Sequence, residues 1–314
     1  MLPLLTLLLS ACQPEISAAG DDTSSPDEVT CDTEIRSTWP LQGADDAYYR
    51  GSIEFELTEP DPTATVITDV AGTQTTRQDG LVVVYTPDVP LDPGQEVTVA
   101  LDYCRGAPEL SFTVSDYGSP MDGGVDLSAT AWSLDLSSAR FIDAEGLGDI
   151  VASYLQNALL LGATNVQSDS FELSMARSDG SGDQDPCSRT TMLPLADFSD
   201  SPFFDLAGSD VVVDINDVEL HLGDLALAGT FASDGQSIGG VTFTVTGDAR
   251  DAGAWLEIDP DVICELADSI DVPCEPCSDG ELYCGTVVAS DLEATAIGVP
   301  LELIDEIPSD CPDE

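Results

Sequence analysis

The stretch VVVDINDVELHLGDLALAGTF, residues 211–231, alternates apolar and polar side chains with the period of two that belongs to a β-strand. Val211, Val213 and Ile215 share one parity; Val218, Leu220 and Leu222 take the other; Leu225, Leu227 and Phe231 return to the first. A slip of one residue sends every side chain to the opposite face of a sheet, so turns or bulges must sit at Asn216-Asp217 and Gly223-Asp224. Val241, Phe243 and Val245 continue the meander, and strand-like patterns precede it at Val125 to Phe141 and at about 164–175. Between those two, Leu147, Ile150, Val151, Tyr154, Leu155, Ala158 and Leu159 recur at helical spacing. This predicts an amphipathic helix over about 147–161, stopped by Gly162 at the C-terminal cap position. Residues 125–314 therefore read as a strand-rich α+β domain, with one prominent helix on an antiparallel sheet.

Toward the N-terminus the pattern is purely strands and turns, making the chain mainly β. Ile53, Phe55 and Leu57 alternate with Ser52, Glu54 and Glu56, which buries one face and turns the acids outward. Leu81 to Tyr85 is a β-branched run; Val97, Val99 and Leu101 alternate again, as do Phe112 and Val114. Short strands at this spacing predict a β-sandwich over 31–117, joined by a Gly/Pro-rich linker at 118–124 to the second domain. Ser37-Thr38-Trp39-Pro40-Leu41-Gln42-Gly43-Ala44, Tyr85-Thr86-Pro87, Pro90-Leu91-Asp92-Pro93-Gly94 and Ser111-Phe112-Thr113-Val114 resemble the SbsA-type Ig-like domain of bacteria. That resemblance covers about a quarter of the chain, and implies an interaction and spacer module of the cell envelope, not a catalyst.

The chain opens MLPLLTLLLSAC. Leu2 to Leu9 form an apolar run of signal-peptide length, and Leu9-Ser10-Ala11-Cys12 resembles the lipobox of bacterial lipoproteins. The resemblance implies cleavage after residue 11, a diacylglycerol on Cys12 and a membrane partner through that lipid. Gln13 in place of Asp implies export to the outer membrane. Residues 12–30 lack any hydrophobic period and read as the lipidated cysteine followed by a flexible acidic tether.

Charge and cysteines narrow the function. The 314 residues carry 60 acids against 8 basic groups, a net charge of −52; every basic residue is Arg, and His221 is the only histidine. Such a chain repels phosphate backbones, so nucleic acid is excluded as a partner. An apolar content of 42% is that of a protein with a core, not of a disordered polyanion. Setting Cys12 aside leaves eight cysteines: Cys31, Cys104, Cys187, Cys264, Cys274, Cys277, Cys284 and Cys311. An even number in an oxidising compartment reads as disulfides. Domain-wise closure pairs Cys31 with Cys104 and leaves the other six to staple the second domain.

Candidate chemistry gives way to plainer readings. Gly235-Gln236-Ser237-Ile238-Gly239 has nucleophile-elbow spacing, but it lies between two strand patterns with no downstream His, and reads as a hairpin turn. Cys274-Glu275-Pro276-Cys277 sits among acids that raise thiol pKa values, which favours structural disulfides over redox or zinc chemistry. Asp179, Asp183 and Asp185 place oxygens at alternate positions around glycines; a solvated loop is the first reading, and weak calcium binding, the one cofactor suggested, the second. Trp39, Trp132 and Trp255 read as core. The expectation is a lipid-anchored envelope protein without catalysis, structural or adhesive, binding a protein or polysaccharide. The alternatives are a carrier of an apolar small molecule in the second domain and a carboxylate-based polysaccharide hydrolase.

Overall fold

The computed structural model describes residues 31–134, 139–143, 159–215, 218–256, 258–269, 273–309 and 311. Cys12, the tether and most of the expected 147–161 helix lie outside them.

Seven strands form the first module: β1 (Ile35–Trp39), β2 (Ile53–Leu57), β3 (Thr65–Ile67), β4 (Gly72–Arg77), β5 (Val82–Pro87), β6 (Glu96–Asp102) and β7 (Glu109–Thr113). They pair as β1-β2-β5-β4 and β3-β6-β7, the strand order of an immunoglobulin constant-type sandwich. The alternating residues meet between the sheets: Ile53, Phe55 and Val83 from one, Val99, Leu101 and Phe112 from the other, each at most 4% exposed. Cys31 and Cys104 are both disulfide-bonded. The other six described cysteines pair among themselves.

The second module contains β8 (Ala131–Leu134), β9 (Arg140–Asp143), β10 (Leu159–Thr164), β11 (Ser170–Arg177), β12 (Thr191–Met192), β13 (Ala196–Asp197), β14 (Phe203–Ile215), β15 (Val218–Phe231), β16 (Ser237–Asp248), β17 (Glu275–Pro276) and β18 (Leu282–Ala296). The order β10-β8-β18-β16-β15-β14-β13-β11 returns to β10, all pairs antiparallel, so eight strands close a barrel. This corrects the α+β expectation: the antiparallel sheet curls onto itself. Its interior is filled, as an eight-stranded barrel allows. Trp132, Phe171, Phe204 and Phe231 are all 0% exposed, and Phe231 lies 5.0 Å from Trp132 and 5.1 Å from Phe204 between ring centroids. Trp132 Nε1–H donates to the Gly235 carbonyl at 3.0 Å, so the buried indole keeps its hydrogen bond.

Leu159–Thr164 is a strand, not the last turn of a helix, which corrects the end of the predicted 147–161 element. Leu161 and Ala163 join the barrel core, while Leu160 and Gly162, of the opposite parity, are buried as well, Gly162 against Leu301 of the C-terminal segment, so both faces of β10 are covered. An apolar run of that kind suits a helix face or a buried strand equally, and Gly162, read as a cap, lies mid-strand. Both parity breaks of the 211–231 stretch are present. Ile215 pairs with Val218, so the chain reverses between them, and the register shifts between Gly223 and Ala226 where Asp224 takes φ +45°. Two short helices follow β16: α1 (Ala249–Leu256) and α2 (Pro260–Asp268). The start of α2 is visible in sequence, since Asp259 caps the Asp261 N–H at 3.0 Å and Pro260 opens the first turn. Cys264–Cys274 and Cys277–Cys284 staple this end, and Cys187–Cys311 ties the C-terminal segment across 124 residues.

Candidate functional site

Sandwich and barrel meet through side chains that each module alone would leave in water. Glu54 occupies an outward position of β2, between inward Ile53 and Phe55, yet it is 5% exposed. Its Oε2 accepts from Arg77 Nη2 at 2.6 Å, across its own sheet, and from Arg140 Nη2 on β9 of the barrel. Two guanidinium partners thus surround a carboxylate that packing takes out of water, the arrangement a buried charge requires. Arg140 also lies 5.0 Å from the Trp39 ring centroid and 3.8 Å from Asp291 Oδ2. Farther along the same joint, Arg50 of the sandwich pairs with Asp200 and stacks 3.9 Å over Phe203, both from the barrel.

Two tyrosines complete the joint. The Tyr48 hydroxyl shares a 2.7 Å hydrogen bond with Thr230, and the Tyr117 hydroxyl a 2.9 Å bond with Ser237. Their rings lie against Gly240 and Gly239 of β16, where an added Cβ would come within 2.3 Å of ring atoms. Burial raises the pKa of both phenols, so they stay protonated. The 118–124 segment is also tied down, since the Asp122 N–H donates to Ser233 O at 2.7 Å.

Beside this joint opens a groove of about 260 Å³, lined by Trp39, Leu41, Asp46, Tyr48, Tyr117, Gly240, Asp291 and Glu293 among others. Asp291 sits in a bulge of β18: Val241 pairs with Leu292 and Phe243 with Ala289, leaving Ser290 and Asp291 opposite Thr242. Its φ of +58° is one that aspartate tolerates better than most residues, and bulges of this kind re-aim a side chain. Burial raises the Asp291 pKa, opposed by the 2.7 Å bond from Ser290, by Arg140 and by the Trp39 N–H, while Glu54 adds to the rise.

The sequence candidates lie elsewhere. Ser237 is in the expected hairpin, with Gly235 at φ +69° and His221 exposed, and its hydroxyl serves the joint. Cys274 and Cys277 are not bonded to each other but to Cys264 and Cys284, and all eight described cysteines are oxidised. Asp248 approaches the Cys277 and Cys284 sulfurs, but those form one disulfide and Asp248 holds Arg250 at 2.5 Å, so the trio is not a metal site. Asp179 accepts from Ser181 N–H and Oγ–H, both at 2.7 Å, and Asp185 from Cys187 N–H at 2.8 Å while facing Arg177 at 3.6 Å. The Asp179, Asp183 and Asp185 carboxylates do not gather as a set within 4.8 Å. Trp132 is core as expected; Trp39 is half-buried in the groove instead. Sequence reasoning passed over Tyr48, Arg140 and Asp291. The available signal was the scarcity of cations: three of only eight arginines, Arg50, Arg77 and Arg140, serve this one joint.

No family model matches the chain, and no curated protein does. Among solved structures, an L,D-transpeptidase from Mycobacterium smegmatis is similar at 14% identity and a TM-score of 0.23, over 47% of this chain and 77% of that one. A likeness that low carries no functional argument.

Proposed function

We propose that this chain is a lipid-anchored binding module of the cell envelope, an Ig-like stalk and a barrel joined into one stiff body that holds a partner without transforming it. The observation that carries the reading is the joint. A buried carboxylate shared by guanidinium groups of both modules, and two tyrosine rings seated on glycines, favour a fixed presentation over a hinge. The eight described cysteines are in disulfides, the single His is exposed, and the groove carboxylate Asp291 is engaged by Ser290 and Arg140. These features favour binding over thiol or histidine chemistry. The aromatic packing inside the barrel leaves no room between those rings for an apolar cargo. The SbsA-like motifs of the sandwich and the lipobox around Cys12 support a place at the outer membrane, with the tether setting the distance from the bilayer.

Radioactive palmitate tests the anchor. The wild type should take up label and fractionate with membranes, and Cys12→Ala should do neither. Equal labelling of both, or of neither, removes the lipoprotein reading.

A further inference from the structure

We propose that the groove at the joint binds a small organic cation carrying an alkylated ammonium group. The proposal deepens the binding-module reading by naming the ligand class of its groove. Size sets the first limit: about 260 Å³ accommodates a headgroup-sized ligand and falls below the usual range for drug-sized sites.

Chemistry sets the second. Trp39, Tyr48 and Tyr117 supply aromatic surface, while Asp46, Asp291 and Glu293 supply carboxylates. No Arg or His is among the lining residues, and Arg140 stacks on the Trp39 ring. The polar tips of the aromatic residues are already engaged: Tyr48 with Thr230, Tyr117 with Ser237, and the Trp39 N–H with Asp291. What these residues offer a ligand is therefore π surface rather than hydroxyl or N–H contacts. The charged groups that remain are acceptors only. An anion is repelled by three carboxylates, and a neutral polyol finds no free donor on the aromatic walls. A methylated ammonium group uses both features, since its methyl groups cover ring surface while its charge meets the ring quadrupoles and the carboxylates. The −52 net charge raises the local concentration of any such cation.

Calorimetric titration of the full chain in nonionic detergent with choline chloride at low salt tests this. The wild type should bind saturably. The double variant Asp46→Asn/Glu293→Gln changes two exposed side chains and should weaken binding by about fivefold or more. Trp39→Ala should abolish binding and Trp39→Phe should retain part of it. The uncharged isostere 3,3-dimethylbutan-1-ol should bind at least about tenfold more weakly than choline. Three results would overturn the proposal: equal binding of that alcohol, displacement of choline by N-acetylglucosamine, or no choline binding by a wild-type chain whose melting curve shows it folded. None of these readouts depends on acylation of Cys12, so failure of the anchor and failure of the groove are separable.

Discussion

Glu54 and Asp291 show how one carboxylate is held at a joint between modules. Of the acidic side chains described, Glu54 is the one that is fully buried, and it is matched by Arg77 and Arg140. Removing one partner of such a set leaves uncompensated charge, which costs about 3–5 kcal/mol in comparable cases. Asp291 is less completely matched, and burial outweighs its partners, so its folded pKa stands above the ordinary carboxylate value. A raised value means that the native state holds the proton more tightly than the unfolded chain does. The stability linked to Asp291 is then complete below the unfolded carboxylate range, near pH 4, and is lost as pH rises through the folded value. Asp291→Asn is neutral at every pH. It should raise the melting temperature above that range and change it little below. A melting profile parallel to the wild type across pH would contradict the assignment. No local pattern at these positions announces any of this, because Glu54 occupies a strand position that reads as solvent-facing and Asp291 sits in a bulge whose burial depends on contacts distant in sequence.

Strand β16 carries the barrel's half of the joint through Gly239 and Gly240. Gly240 has φ +58°, so a side chain there is strained whatever the space, whereas at Gly239 the three nearest atoms an added Cβ would meet all belong to the Tyr117 ring. Gly239→Ala should therefore destabilise the fold by an amount typical of overpacking, about 1–3 kcal/mol, read as a lowered melting temperature. Adding Tyr117→Ala to it should cost less than the two single losses summed, because the clash is gone. Strict additivity in that cycle would show that the ring does not press on the glycine. The strands themselves were largely legible: alternation located β2, β6 and β15, and the parity breaks located the reversal after Ile215 and the bulge at Asp224. The misreading at Leu159–Thr164 has a physical source. Coverage of both faces of this strand, by the barrel core and by the C-terminal segment at Leu301, removes the alternation that distinguishes a strand from a helix.

Across the whole molecule, the chain carries 60 acids, many of the described ones exposed around a core of ordinary apolar composition, and Cys187–Cys311, Cys264–Cys274 and Cys277–Cys284 tie the C-terminal segment and the helical end. Self-repulsion of this size is long-ranged at low salt and screened to about 3 Å at 1 M. Raising sodium chloride from 0.1 to 1 M should therefore raise the melting temperature, because the exposed acids are screened while the buried Glu54 cluster is not. A melting temperature indifferent to ionic strength would show that the surface charge carries no folding penalty. The amino-acid sequence by itself determined the mainly β character, the turns, the pairing potential of the cysteines and the strongly negative net charge, because each depends on local period or on composition. Only the tertiary structure decided that the second sheet closes into a barrel, that Glu54 and Asp291 leave water, and that Trp39, Tyr48 and Tyr117 share one groove. Closure, burial and convergence depend on contacts between residues as far apart as Tyr48 and Thr230, and short-range pattern carries no record of those contacts.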